Sequence, residues 1–216
     1  MIPRPRVILW DWDNTLADGW AAVTEALNIA FAAFDRPAWS ESDTRARARH
    51  SLRESFPPIF GAAWQQAASI FGEAYGRLHV AGVRPMPGVA ALLPAVGGVK
   101  MAVISNKDGP FVRRECVALG FERYFAAVLG AGDAVADKPD PAIFRHALER
   151  LGEPAGSDIW YVGDTGLDMQ AARAWGCTAV LLGDAAHDGG VESFAAPPDL
   201  HFIDATTLAA YLVNAA

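Results

Sequence analysis

The sequence predicts an α/β fold, a parallel sheet covered by helices on both faces, with a small block of helices inserted after the first strand. Three observations predict it. Short apolar runs rich in β-branched and aromatic residues alternate with amphipathic stretches, as in strands buried on both faces and joined by helices. Polar and acidic clusters directly follow several of these runs. Between Asp18 and Arg84 the alternation stops, leaving three helical stretches and no convincing strand.

The first apolar run is Arg6-Val7-Ile8-Leu9-Trp10. Gly19 to Phe34 is alanine-rich and helical. Ser40 to Ser55 reads as one helix, with Ser40 and Asp43 at capping-box spacing, and Ala62 to His79 as another. Asp35-Arg36-Pro37 and Pro57-Pro58 are the expected breaks between them. The chain crosses into and out of this block near Asp18 and near Arg84-Pro85-Met86-Pro87, the expected hinges. Residues 1–17 and 85–216 are therefore expected to form a core domain and residues 18–84 a helical domain inserted in it.

Alternation then resumes. Val89 to Val96 is a helix, Val99 to Ile104 a strand and Pro110 to Leu119 a helix; Phe125 to Leu129 is a weaker strand. Pro141 to Leu151 is a helix, Ile159 to Val162 a strand, Leu167 to Trp175 a helix and Thr178 to Leu182 a strand; His201 to Ile203 is again weaker. Pro110 and Pro141 stand in first turns that need no N–H, and Gly120, Gly152 and Gly176 follow the helices as C′ glycines. Ala185 to Pro198 reads as a loop without an assigned role.

A chain of 216 residues with 52% hydrophobic side chains suits one domain carrying an insertion and excludes a disordered protein. The net charge of −7 has the wrong sign for a nucleic-acid partner. No apolar run approaches the roughly 20 residues that cross a bilayer, and the N-terminal apolar stretch is too short for a signal peptide. Cys116 and Cys177 make neither a disulfide framework nor a zinc spacing. These features predict a reduced, cytoplasmic protein, monomer or homodimer, without a membrane partner.

Four clusters fall at the C-terminal ends of the expected strands, the edge where open α/β sheets bind ligands. They are Asp11-Trp12-Asp13-Asn14-Thr15, Ser105-Asn106-Lys107, Lys138-Pro139-Asp140-Pro141 and Gly163-Asp164-Thr165-Gly166-Leu167-Asp168. Each alone also reads as an ordinary cap, turn or surface charge, with Asp164 as the N-cap of its helix. Together they bring up to four carboxylates, a lysine and two neutral hydrogen-bonding groups to one edge. Hard oxygen donors of this kind suit Mg²⁺ better than zinc or copper. A carboxylate nucleophile with a second carboxyl, a lysine and Mg²⁺ is a working set for phosphoryl transfer.

The four clusters resemble the motifs of the haloacid dehalogenase superfamily, in its phosphoglycolate-phosphatase-like branch. Asp11, Asp13 and Thr15 match Asp-x-Asp-x-Thr, Ser105-Asn106 the second motif, Lys138 the third in its Lys-Pro-x-Pro setting, and Gly163-Asp164 with Asp168 the fourth. Gly132-Asp133 and Met86-Pro87-Gly88-Val89 also look like that branch, and the agreement runs from about Val7 to Gly183. The resemblance implies a Rossmann-like core with a small α-helical cap, and a Mg²⁺-dependent phosphatase hydrolysing a small phosphorylated metabolite through an aspartyl-phosphate. It implies Asp11 as nucleophile and Asp13 as acid and base. It implies Asp11, Asp164, Asp168 and the Asp13 carbonyl around the metal, and Thr15, Ser105, Asn106 and Lys138 on the substrate side, with Ser105 and Lys138 serving catalysis.

Alternatives remain at this level. A haloacid dehalogenase needs neither Asp13 nor Mg²⁺, a phosphomutase shares all four motifs, and a non-catalytic phosphoacceptor or binding module would lack the helical insertion or an aspartate of the first motif. Arg45, Arg49 and Arg53 would form one basic stripe on a continuous Ser40 to Ser55 helix, either a solvated face or a reader of an anionic leaving group. The five histidines and both cysteines read as bland or packing residues, Trp160 and Trp175 as core, and Trp20 and Trp64 as core of the helical block or, less favoured, as residues of its inner face.

Overall fold

The computed structural model describes residues 2, 4–48 and 50–214. The elements run β1 (Val7–Trp10), β2 (Ala17–Asp18), α1 (Trp20–Ala32), α2 (Glu41–Arg47), α3 (Leu52–Phe60), α4 (Trp64–Gly82), β3 (Arg84–Pro85), α5 (Val89–Ala95), β4 (Lys100–Asp108), α6 (Gly109–Ala118), β5 (Ala127–Ala131), α7 (Pro141–Leu151), β6 (Ile159–Gly163), α8 (Gly166–Ala174), β7 (Thr178–Leu182), β8 (Leu200–Phe202) and α9 (Ala205–Asn214). Six strands pair in the order β5-β4-β1-β6-β7-β8, every pairing parallel.

The sheet is buried on both faces because its side chains alternate between two apolar clusters. In β1, Ile8 and Trp10 enter the cluster that also holds Leu92 and Leu93 of α5, Val112 and Cys116 of α6 and Leu208 of α9. Val7 and Leu9 enter the opposite cluster, with Ile143, Phe144 and Leu148 of α7 and Met169 and Ala172 of α8. The expected α/β layering is thus the observed one. Pro141 opens α7 behind an Asp140 cap, and Gly152, at φ 68°, closes it. α9 was not expected: its short Ala/Thr/Leu-rich sequence carries no acidic first turn or basic last turn, and packing against α5 organises it.

Helices α1, α3 and α4 share a third cluster, built on Phe31, Phe56, Phe60, Phe71 and Tyr75. Two expectations fail here. The Ser40 to Ser55 stretch is two helices, α2 and α3, and the foreseen break at Pro57-Pro58 lies inside α3. Those prolines fall five and six residues after the start of α3, where burial of Phe56 and Phe60 holds the turn together. The Ser40–Asp43 capping box is present. At the two crossings, Ala17 pairs with Pro85 and Asp18 with Arg84 in an antiparallel ribbon, two residues per strand and too short for any periodicity to show.

Both cysteines are buried and unpaired, and burial pushes each thiol up to about 12, which fits packing rather than reactivity. Trp160 is buried; Trp175 is half-buried, stacks on Phe144 and donates to the Pro141 carbonyl at 3.0 Å. Phe144 is fully buried and meets Tyr161 edge-on at 4.9 Å between centroids. Phe144→Ala is expected to cost about 3–5 kcal/mol in urea denaturation, and a loss under about 1 kcal/mol would show that this face of the sheet is not close-packed.

Candidate active site

The C-terminal ends of β1, β4 and β6 and the loop before α7 meet at one edge of the sheet. Asp11 follows β1 directly, and its N–H still donates to Val162 at 2.8 Å, so the strand geometry carries it into the edge. The chain then turns back on itself: Leu16 and Ala17 donate to the Trp12 carbonyl at 2.9 Å, and Asn14 takes φ 67°, a region asparagine tolerates. This turn separates the two acids of the motif. Asp11 faces Lys138, whose ammonium is 2.5 Å from Asp11 Oδ1, whereas Asp13 faces Lys107, 2.6 Å from Asp13 Oδ1.

Asp164 and Asp168 come from the β6–α8 junction. Thr165, not Asp164, is the N-cap of α8, in a capping box with Asp168, and Asp164 is thereby released to the site. A Cβ at Gly163 would collide with the Asp168 carboxyl, so only glycine lets that side chain lie back against the strand end. One oxygen each of Asp11, Asp164 and Asp168 lies within 4.8 Å of the others. Lys138 also donates to Asp168 at 2.9 Å and to the Tyr161 hydroxyl at 2.8 Å.

Asp11, Lys138, Tyr161, Asp164 and Asp168 are buried, and Asp13 and Lys107 are half-buried. Burial raises the Asp11 carboxyl well above the usual range, Lys138 opposing it and Asp168 and Asp164 adding to it. Asp13 is raised by burial against the pull of Lys107. For Lys138, burial would lower the value, but Asp11 and Asp168 outweigh it and hold the ammonium charged. Asp168 ends below its ordinary value: burial opposes ionisation, and Lys138 with the Thr165 and Tyr161 hydroxyls outweighs it. Lys138 thus serves two of the three carboxylates, Asp11 and Asp168. A divalent cation fits the imbalance, with three hard oxygen donors converging and no soft ligand among them.

The expected residues are brought together at this edge. The Thr15 hydroxyl is buried and donates toward Asp11 Oδ2 and Asp164 Oδ1, at 3.2 and 3.1 Å. Asn106 clasps the backbone of Lys138, accepting from its N–H at 2.9 Å and donating to its carbonyl at 3.2 Å, and so fixes the loop that delivers the lysine. Ser105 lines the cleft beside Asp11, Asp13 and Lys138.

Three contributors, Glu115, Tyr161 and His187, escape a reading of the sequence. Lys107 and Glu115 form a second acid–lysine set around Asp13. Tyr161 is hidden inside an ordinary strand run. His187, in the loop with no assigned role, places Nε2 2.9 Å from Asp164 Oδ2. No signal could have found the last, since it rests on the chain folding back through residues 183–190.

The helical block closes the cleft with Trp20, Val23, Leu52, Phe71 and Tyr75. Trp20 therefore lies on the cleft wall rather than in that block's core, and Trp64 is half-buried against it. The basic stripe is not formed. Arg45, on α2, donates to Asn14 at 2.6 Å and pairs with Asp18 and Glu41; Arg53, on α3, pairs with Asp137 at 3.0 Å. Arg49 lies outside the described residues.

The family model "Haloacid dehalogenase-like hydrolase" matches residues 8–182. Phosphoglycolate phosphatase 1 of Pseudomonas aeruginosa is 32% identical over 194 residues, covering 83% of this chain and 70% of that protein. Phosphoglycolate phosphatase of Yersinia pestis is 29% identical over 187 residues, covering 82% of this chain and 80% of that one. A haloacid dehalogenase-like hydrolase from Streptococcus pneumoniae has the same fold, with a TM-score of 0.83 at 20% identity and coverage of 95% of this chain and 97% of its own. CbbY of Rhodobacter sphaeroides, solved with phosphate, reaches 0.80 at 22% identity over 94% and 96%.

Lys138 is the shared counter-charge of two buried acids. In metal-free buffer Lys138→Met is expected to destabilise the fold by about 3–5 kcal/mol, read by urea denaturation, because it leaves those acids unpaired. Unchanged stability would mean that they do not depend on the lysine.

Proposed function

Since the chain belongs to the haloacid dehalogenase-like hydrolases, we propose that it is a phosphatase that removes the phosphoryl group from a small phosphate monoester through an aspartyl-phosphate, with Mg²⁺ as its metal. The observation that carries this reading is the junction at β1: a buried Asp11 held by Lys138 among Asp164 and Asp168, with a second acid, Asp13, two residues on and turned to a different lysine. Two acids in two environments suit two roles.

In this reading an Asp11 oxygen attacks phosphorus and the bond from phosphorus to the ester oxygen breaks. The leaving oxygen takes a proton from Asp13. Asp13 then accepts a proton from the water that attacks the phosphorus of the aspartyl-phosphate, which releases inorganic phosphate and restores Asp11. Lys138 and Ser105 hold the phosphoryl oxygens, and Asn106 keeps Lys138 in place. Asp11, Asp164 and Asp168, with the Asp13 carbonyl, would hold the metal, which supplies positive charge against the phosphoryl oxygens when bound. A dehalogenase has no use for Asp13 as a proton donor, so the paired acids favour the phosphatase.

The division of labour follows the expected domains: residues 1–17 with 85–216 for the chemistry, residues 18–84 as the cap. The cap's separate apolar cluster supports that boundary. The ester is small, since the cap side chains crowd the cleft mouth, and phosphoglycolate, named for the Pseudomonas and Yersinia relatives, is the first compound to try.

Asp11→Asn should abolish phosphate release and leave the fold intact, because the amide is a poor nucleophile. Turnover above roughly a hundredth of wild type, against the 10²–10⁴-fold worth of one catalytic group, would overturn the assignment. Exhaustive chelation should stop phosphate release and added Mg²⁺ restore it; full turnover after chelation would remove the metal from the reading.

A further inference from the structure

Glu115 is a fully buried acid on α6, outside the four motifs, and it has four donors. Tyr75 Oη donates to Oε1 at 2.5 Å, and His79 Nδ1 lies 3.3 Å from the same oxygen. Trp12 Nε1 donates to Oε2 at 2.7 Å, and Lys107 Nζ to Oε2 at 2.9 Å. Lys107 in turn reaches Asp13 Oδ1 at 2.6 Å. The donors come from three places: Tyr75 and His79 from the cap helix α4, Trp12 from the turn between the two motif acids, and Lys107 from the end of β4.

A buried carboxylate is tolerated only when its lone pairs are taken up, and here each oxygen is shared between two donors. The consequence falls on Lys107. Its ammonium lies between the two acids and 5.4 Å from the centre of the Tyr75 ring, so Glu115, with the tyrosine that donates to it, determines where the charge rests against Asp13. Phe111 packs edge-on against Tyr75 and His79 at 4.9 and 5.0 Å, which fixes the cap donors laterally.

We propose that Glu115 is a positioning residue for the proton donor: braced by Tyr75 and His79 of the cap, it holds Lys107 against Asp13 and so aims the Asp13 carboxyl at the leaving oxygen. This rests on the phosphatase reading above. Glu115 touches neither substrate nor metal and acts through Lys107. Because two of its donors belong to the cap, the acid is fully aimed only while the cap is seated.

The test is Glu115→Gln, with kcat/KM measured on two esters. This ratio reports the steps up to phosphoryl transfer to Asp11. p-Nitrophenolate leaves without needing a proton, whereas an alkoxide such as that of ethyl phosphate needs one. A misaimed donor should reduce kcat/KM on the alkyl ester by about tenfold or more, within the worth of a general acid, and on p-nitrophenyl phosphate by about twofold at most. Tyr75→Phe, which removes one cap donor and keeps the ring, should shift the ratio the same way by less. Equal losses on both esters, or no loss on either, would overturn the role of Glu115, since general damage to the fold lowers both alike. Wild-type protein that releases phosphate from neither ester would instead overturn the phosphatase reading and this role with it.

Discussion

The constraint on which the rest of the structure depends is the crowding of buried acids at the end of β1. Asp11, Asp164 and Asp168 come within reach of one metal-sized point, and Asp13 is two residues from the first of them. Carboxylates at that density stay ionised only if positive charge is brought to them. Two lysines do so from different elements, Lys138 from the loop before α7 and Lys107 from the end of β4, and each is positioned by a partner of its own. Asn106 secures the backbone of the first, and Glu115 the ammonium of the second. The parallel sheet contributes what short loops alone would not: strand ends in fixed register, with Asp11 still hydrogen-bonded to β6.

The cap is attached to this charge system rather than simply lying over it. Arg45 ties α2 to Asn14 of the motif turn, Arg53 ties α3 to Asp137 just ahead of Lys138, and Tyr75 and His79 reach Glu115. The first two ties end on the sequence neighbours of Asp13 and Lys138, and the third on the acid that contacts Lys107. The inner wall of the cap is otherwise mostly apolar, so water is kept from the carboxylates by Trp20, Val23, Leu52 and Phe71 while the charged contacts fix the cap's seat.

How much of this was legible in the sequence depends on the range of the interaction. The β-branched runs and the glycine and proline punctuation are local, and they marked the sheet, four of its covering helices and the four motif clusters. The helix boundaries inside the cap were not legible, because prolines at 57 and 58 act as breakers only where packing does not overrule them, and Phe56 and Phe60 overrule them here. Asp164 read as a cap residue because Asp and Thr are both good caps; which of the two turns inward is decided by the close fit of Gly163 against Asp168. Glu115, Tyr161 and His187 stayed hidden because a glutamate in a helix, a tyrosine in a strand and a histidine in a loop are ordinary, and only contacts over long sequence separations distinguish them.

The ribbon of β2 and β3 has a consequence for how such a chain can change over time. Residues 17–18 and 84–85 are neighbours, so the polypeptide leaves the sheet and returns to it at nearly one point. To the sheet, everything in between is a loop whose ends are already tied together, and the entropy of closing a loop grows only slowly with its length. The span can therefore lengthen, shorten or be exchanged for another bundle at little cost to the strands on either side. What limits such exchange is not the stability of the sheet but the few side chains, Arg45, Arg53, Tyr75 and His79, that a replacement would have to supply again at the right places.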